Sequence, residues 1–180
     1  MSLENTNLSR RNLLRAGALG VPAAGVLAFG STLVTATSAN AISADGWWGE
    51  ETSAGLQMFL NTVVTNKGWF TSEEFSKGLV VDGVISSQPS RVAPQCPAIV
   101  GGWEWVDSNQ AEGSPTIKWL QSWLDLNPPT PFFDSGDIFY LQRHYGIPQD
   151  GRLDGPSQTI MALQNEINQV ALQNENNYAG

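Results

Sequence analysis

One phrase occurs twice in this chain, and an internal repeat constrains a fold more than any local motif because it defines the building unit. The first copy reads Lys77-Gly78-Leu79-Val80-Val81-Asp82-Gly83-Val84-Ile85, followed by Pro89-Ser90; the second reads Tyr145-Gly146-Ile147-Pro148-Gln149-Asp150-Gly151-Arg152-Leu153, followed by Pro156-Ser157. In each, a Gly stands four residues before the Asp-Gly pair and a large aliphatic residue stands three after the Asp. A Leu-Gln pair precedes each phrase, Leu56-Gln57 and Leu141-Gln142. The pattern reads as helix, stop and turn. Gly78 and Gly146 suit the left-handed position just past a helix end. Asp-Gly is a tight-turn signal, since Asp bonds its own backbone and Gly accepts positive φ. The Leu faces a core, and the Gln amide is placed to satisfy backbone groups of the turn.

The Leu-Gln pairs lie 85 residues apart (56 to 141) and the Asp-Gly pairs 68 apart (82 to 150), so the first copy carries 17 extra residues between Leu60 and Gly78. Thr71-Ser72-Glu73-Glu74 within that stretch reads as a capping box for one more helical turn.

The first 41 residues read as an address. Ser9-Arg10-Arg11-Asn12-Leu13-Leu14 is a twin-arginine pattern, a weakly hydrophobic Gly/Ala-rich stretch follows from Ala16 to Ala36, and Ala39-Asn40-Ala41 supplies a small-x-small cleavage site. The competing reading is a membrane anchor, but Gly, Pro and Thr dilute the stretch, which barely reaches spanning length. The expected mature chain begins at Ile42 and holds 139 of the 180 residues. With three Arg and one Glu in the leader, six basic and sixteen acidic residues remain, a net charge of −10. Such a chain does not suit nucleic acid or an anionic membrane surface, whose affinities come from cationic contacts. Cys96 is the only cysteine, so no internal disulfide forms and stability must come from an apolar core. Seven tryptophans serve either that core or a carbohydrate-binding surface.

Four helices are predicted. The first spans Glu50 to Val64, with Leu56, Phe59, Leu60 and Val63 on one stripe and two Glu in its first turn. The second spans Pro115 to Leu126 behind Ser114 as N-cap. The third spans Ser135 to Tyr145, and the fourth Pro156 to Ala171, with an Asn-rich tail that frays from Gln173. Between the copies, Val100 to Val106 suits a short strand inside an ordered connector.

Residues 113–168 resemble a peptidoglycan-binding-like module of the three-helix type found in secreted bacterial cell-wall proteins. The matching residues are Ile117-Lys118-Trp119-Leu120-Gln121, Phe132-Phe133-Asp134, Leu141-Gln142, Asp150-Gly151, and Pro156 through Leu163-Gln164. Residues 45–90 resemble a partial second copy through Asp45-Gly46-Trp47-Trp48-Gly49, Thr52, Leu56-Gln57 and Asp82-Gly83-Val84-Ile85-Ser86. The first copy lacks the opening helix, and Pro94 and Pro97 fall in its third. In the second copy Asp134 stands where the family has Gly. The resemblance implies an all-α fold of tandem small three-helix modules packed together. The expected organisation is a twin-arginine signal peptide at 1–41, a partial module at 42–90, a connector at 91–112, a complete module at 113–172 and a flexible tail at 173–180. It further implies a secreted, cell-wall-associated, monomeric protein that binds peptidoglycan without catalysis, metal or cofactor.

The chemistry in the sequence fits binding better than catalysis. His144 is the only histidine, nothing in the sequence pairs it with Cys96 as a nucleophilic couple, and no zinc-ligand spacing occurs. Glu104 and Asp107, beside Trp103 and Trp105, are the best carboxylate pair for a cell-wall glycoside hydrolase, the catalytic alternative. A third alternative is a structural or inhibitory protein that kept the fold without the ligand site. For binding, sugar C–H faces pack on aromatic rings while hydroxyls need directional partners. Trp47, Trp48, Trp119, Trp123 and Tyr140 are the aromatic candidates, and Gln142, Arg143 and Asp150 the polar ones; core packing competes for every ring.

Overall fold

The computed structural model describes residues 41–66 and 77–178. The leader through residue 40 and the Thr71-Ser72-Glu73-Glu74 capping box lie outside the described residues. Helix α1 spans Glu50–Asn66, α2 Pro115–Trp123, α3 Ser135–His144 and α4 Gln158–Tyr178. Strand β1 spans Ile85–Pro89 and β2 Trp103–Val106, joined through a 3-10 helix at Ser90–Gln95.

The helix starts follow their caps. Ser114 accepts the Thr116 N–H at 3.2 Å, with Pro115 at the first helical position of α2. Asp134, which stands where the resemblance led one to expect Gly, caps α3. It accepts the Gly136 N–H at 2.7 Å while Asp137 reaches back to the Asp134 N–H at 2.8 Å. Helix α4 starts two residues later than expected because the Ser157 hydroxyl, not Pro156, caps it by accepting the Ile160 N–H at 3.3 Å. It then runs to Tyr178, through the tail expected to fray.

The all-α expectation is corrected. β1 and β2 form a two-stranded parallel sheet with Ile85 opposite Trp103, Gln88 opposite Trp105 and Pro89 opposite Val106, extended by an isolated bridge between Trp48 and Ile99. The cause is local. After the Asp82-Gly83 turn the first copy reaches the position at which the second copy enters α4, but Pro94 and Pro97 permit only a 3-10 helix there. The chain leaves it extended, and the aromatic, β-branched run Trp103–Val106 suits a strand.

The repeated phrase becomes a repeated hydrogen-bond clamp. Gln57 Nε2 donates to Asp82 Oδ1 at 2.8 Å and to the Val84 carbonyl at 3.1 Å, while its Oε1 accepts the Gly83 N–H at 2.9 Å. Gln142 does the same, donating to Asp150 Oδ1 at 2.6 Å and the Arg152 carbonyl at 3.1 Å and accepting from Gly151 at 3.0 Å. A third clamp was not expected. Gln164 on α4 donates to the Trp47 carbonyl at 2.9 Å and to Asp45 Oδ1 at 3.3 Å, and accepts the Gly46 N–H at 2.9 Å. The glycines of the three clamped turns, Gly46, Gly83 and Gly151, have φ between 69° and 78°, which favours residues without a Cβ. Three residues after each Asp, a side chain is fully buried: Ile85, Leu153 and Trp48.

The third clamp ties the two copies into one core. α1 packs on both α2 and α4. Gln164 of α4 also donates to Thr52 on α1 at 3.0 Å. Ile42, the expected first mature residue, is held to α4 by Asn168, which accepts its N–H and donates to its carbonyl, both at 2.9 Å. Leu56, Leu60, Ile85, Ile117, Leu120, Phe133, Ile138, Leu141, Leu153, Ile160 and Leu163 share one cluster with Trp48, Trp119 and Trp123. Val92, Cys96 and Ala98 of the connector belong to it too.

Replacing a clamp glutamine strands buried backbone groups. Gln57→Ala and Gln142→Ala should each destabilise the fold by about 2–4 kcal/mol in urea unfolding, whereas exposed Gln149→Ala should stay within about 0.5 kcal/mol.

Candidate functional site

The clamp fixes the orientation of α3. With Ile138, Leu141 and Gln142 turned inward, Tyr140, Arg143 and His144 fall on the outer side, three and four residues apart. They meet the end of α2 in an open groove of about 360 Å³ lined by Leu124, Asp125, Tyr140, Arg143 and His144. Tyr140 is 42 % exposed, enough to present a ring face. The His144 imidazole rests 4.5 Å from the Trp123 ring and 4.8 Å from Tyr145, centroid to centroid. Its Nε2 lies 3.4 Å from Glu166 Oε2, which also accepts the Tyr145 hydroxyl at 2.8 Å. Burial, and then the Glu166 carboxylate, hold the Tyr145 phenol well above its usual range, so it stays a donor.

Asp125 enters the groove by way of an unusual backbone. α2 ends in a Schellman motif: the Asp125 N–H donates to the Ser122 carbonyl at 3.1 Å and the Leu126 N–H to the Gln121 carbonyl at 2.9 Å. This stops α2 at Trp123, three residues short of the expected Leu126, with Asp125 at φ 62°. α3 ends with the same motif, where the Gly146 N–H bonds Arg143 and the Ile147 N–H bonds Gln142, but there the left-handed residue is Gly146.

Of the eight sequence candidates, the structure brings Tyr140 and Arg143 together in this groove. Trp48, Trp119 and Trp123 are buried at 0 %, 2 % and 7 % exposure, and Gln142 at 2 %. Trp48 donates its indole N–H to Ser53 Oγ at 2.9 Å, and Trp123 meets Phe59 edge to face. The Trp48 and Trp123 rings and Gln142 present no face to a ligand, because the disulfide-free core uses them. Trp119 contributes only to the wall of a second cleft of about 440 Å³, where Asp82 is already bonded to Gln57. Asp150 is exposed, but its carboxylate accepts from Gln142 and the Arg152 N–H, which holds its pKa below the usual carboxylate range. Trp47 is 39 % exposed and lies over Gly155, where a Cβ would overlap the ring, away from the groove.

The catalytic alternatives fare differently. Glu104 alternates with Trp103 and Trp105 along β2, so carboxylate and rings point to opposite faces; Asp107 lies exposed just beyond the strand. Cys96 is buried, and desolvation pushes its thiol up to about 12, away from the thiolate a nucleophile needs. Among the described residues no cluster of three or more His, Cys, Asp or Glu could hold a metal ion. No helix of these residues is long and apolar enough to cross a membrane.

Asp125 and His144 escaped the sequence-based site list. The available signal was an acid near the C-terminal end of α2, where the helix dipole disfavours negative charge, in the run Leu124-Asp125-Leu126. Comparison of the chain with family models, with curated proteins and with solved structures finds no match.

The helix that carries the groove starts on a pH-sensitive contact. Burial raises Asp137 to about 7; the Asp134 N–H opposes this, the Asp134 carboxylate adds to it and Gln121 opposes it. A raised folded-state pKa means that this contribution to stability is full below about pH 4 and is lost as pH climbs toward 7. The wild-type melting temperature should therefore fall between pH 4 and 7 relative to Asp137→Asn, whose amide oxygen still accepts the Asp134 N–H. The linkage sets a ceiling of about 4 kcal/mol, and parallel melting curves across that window would refute the assignment.

Proposed function

We propose that this chain is a secreted, non-catalytic bacterial protein that binds peptidoglycan, exported through its twin-arginine leader and held at the cell wall through the groove between α2 and α3. The observation that carries the reading is a convergence in that groove. An exposed aromatic face, Tyr140, and a guanidinium, Arg143, line it beside the Asp125 carboxylate, on a scaffold whose Leu-Gln and Asp-Gly elements resemble the wall-binding module. Neither Tyr140 nor Arg143 makes a side-chain hydrogen bond or ion pair with another described residue. Exposed groups of this kind are available to a ligand, whereas the other polar candidates are held by the fold. The excess of acids argues against a purely electrostatic attachment to an anionic wall and favours a specific contact.

Sedimentation with insoluble cell walls tests the reading. The full chain should enter the pellet at moderate salt, and Tyr140→Ala should weaken binding roughly tenfold, about 1.4 kcal/mol, with an unchanged melting temperature. A wild-type chain that stays in the supernatant across pH and salt would sink the proposal.

A further inference from the structure

Two features of the groove are not explained by binding to neutral sugars. The first is the residue at the end of α2. In α3 the left-handed position of the closing motif is Gly146; in α2 it is Asp125, at φ 62°. A side chain there costs conformational energy, less for Asp than for most residues but more than for Gly. Its charge also faces the negative end of the helix dipole. Arg143 needs no such explanation, because a cation near the end of α3 is favoured by its dipole. Asp125 is disfavoured on both counts, and among the described residues its carboxylate bonds to nothing that would compensate. A residue held in a disfavoured conformation without an internal partner is a candidate for contact with something outside the fold.

The second feature is charge separation. Asp125 and Arg143 line the same groove yet do not pair with each other. An uncharged sugar would leave both ions to be desolvated without a counter-charge, which is unfavourable. A ligand with a carboxylate at one end and an N–H donor a few atoms away would satisfy both, the carboxylate through the planar fork of Arg143. Tyr140 would cover the apolar atoms between them.

We infer that the groove reads the peptide portion of the wall polymer, an amino-acid unit with a free carboxylate and a neighbouring N–H or ammonium group, and that Asp125 is the residue that accepts from that donor. The inference rests on the wall-binding reading and narrows its ligand from sugar to peptide.

Competition in the sedimentation assay separates the two. The full chain is bound to insoluble walls and displaced by one of three soluble fragments: an uncharged N-acetylglucosamine oligomer, a disaccharide-peptide with free carboxylates, or the same disaccharide-peptide with its carboxylates amidated. The free-carboxylate fragment should compete at least about tenfold better than the amidated one, and Arg143→Gln should abolish that difference. Asp125→Gly should raise the melting temperature by about 2–4 °C while weakening displacement by the free-carboxylate fragment several-fold. Equal competition by free and amidated fragments, displacement by the uncharged oligomer alone, or an Arg143→Gln chain that still discriminates would overturn the peptide assignment while leaving wall binding intact. Full affinity in Asp125→Gly would overturn the role of Asp125. Failure of the wild-type chain to bind walls at all would overturn both readings.

Discussion

A buried glutamine amide clamped across an Asp-Gly turn is the contact on which the rest of this structure depends. A turn that enters a core brings backbone N–H and C=O groups out of water, and each must find a partner. One primary amide supplies both a donor and an acceptor in a fixed plane, so Gln57, Gln142 and Gln164 each satisfy both sides of a turn with one side chain. Glutamate would present only acceptors beside the turn aspartate, and leucine would leave the turn unbonded. The aspartate completes the arrangement by accepting the N–H two residues on, at 2.9 Å in all three turns. The amide and this N–H stabilise its charged form, which is why Asp82 and Asp150 have pKa values below the usual range. Gln121 applies the same chemistry to a loop without Asp-Gly, accepting the Thr130 N–H at 2.6 Å and donating to the Phe132 carbonyl at 3.0 Å. The third clamp has the widest consequence. It joins α4 near the C-terminus to the Asp45-Gly46 turn at the start of the described fold. A Cβ on Gly46 would approach within 2.9 Å of the Ser157 backbone, so this turn sits against the entry to α4.

Much of this was legible in the sequence, and the failures have physical causes. Helix positions followed from apolar spacing and caps, and the Leu-Gln pairs behaved as their residue types require, with Leu56 and Leu141 in the core and the glutamines on the turns. The parallel sheet was only half visible: Trp103–Val106 looked like a strand, but β1 lies in a phrase whose second copy leads into a helix. Sequence similarity between copies pointed to helix where the prolines decided otherwise. The third clamp was hidden by distance. The other two glutamines lie 25 and 8 residues before the turn aspartate they bind, whereas Gln164 lies 119 residues after its own. Asp45-Gly46 therefore read as part of an aromatic-Gly motif, although Trp48 already stood three residues after the Asp, where Ile85 and Leu153 stand in the other copies.

Residue type alone does not separate scaffold from site in this chain. Tryptophan, glutamine and aspartate all occur as plausible glycan contacts, and the structure uses most of them internally. What distinguishes the two sets is whether a polar group already has a partner. Trp48 gives its indole N–H to Ser53, Gln142 gives its amide to a turn, Asp150 receives two donors, and Arg152 is held by Asp154 at 2.8 Å. Tyr140, Arg143 and Asp125 lie at the surface with side chains that no other described residue bonds, and they share one groove. Their placement is nevertheless a product of the scaffold. Gln142 sets the rotation of α3, Asp134 and Asp137 set its start, and the closing motif of α2 turns Asp125 toward it. Stability and the proposed recognition thus meet at adjacent residues of one helix, with Leu141 and Gln142 facing in and Tyr140 and Arg143 facing out. A change to an inward residue is expected to act on binding through the tilt of α3, and a change to an outward residue to act on binding alone.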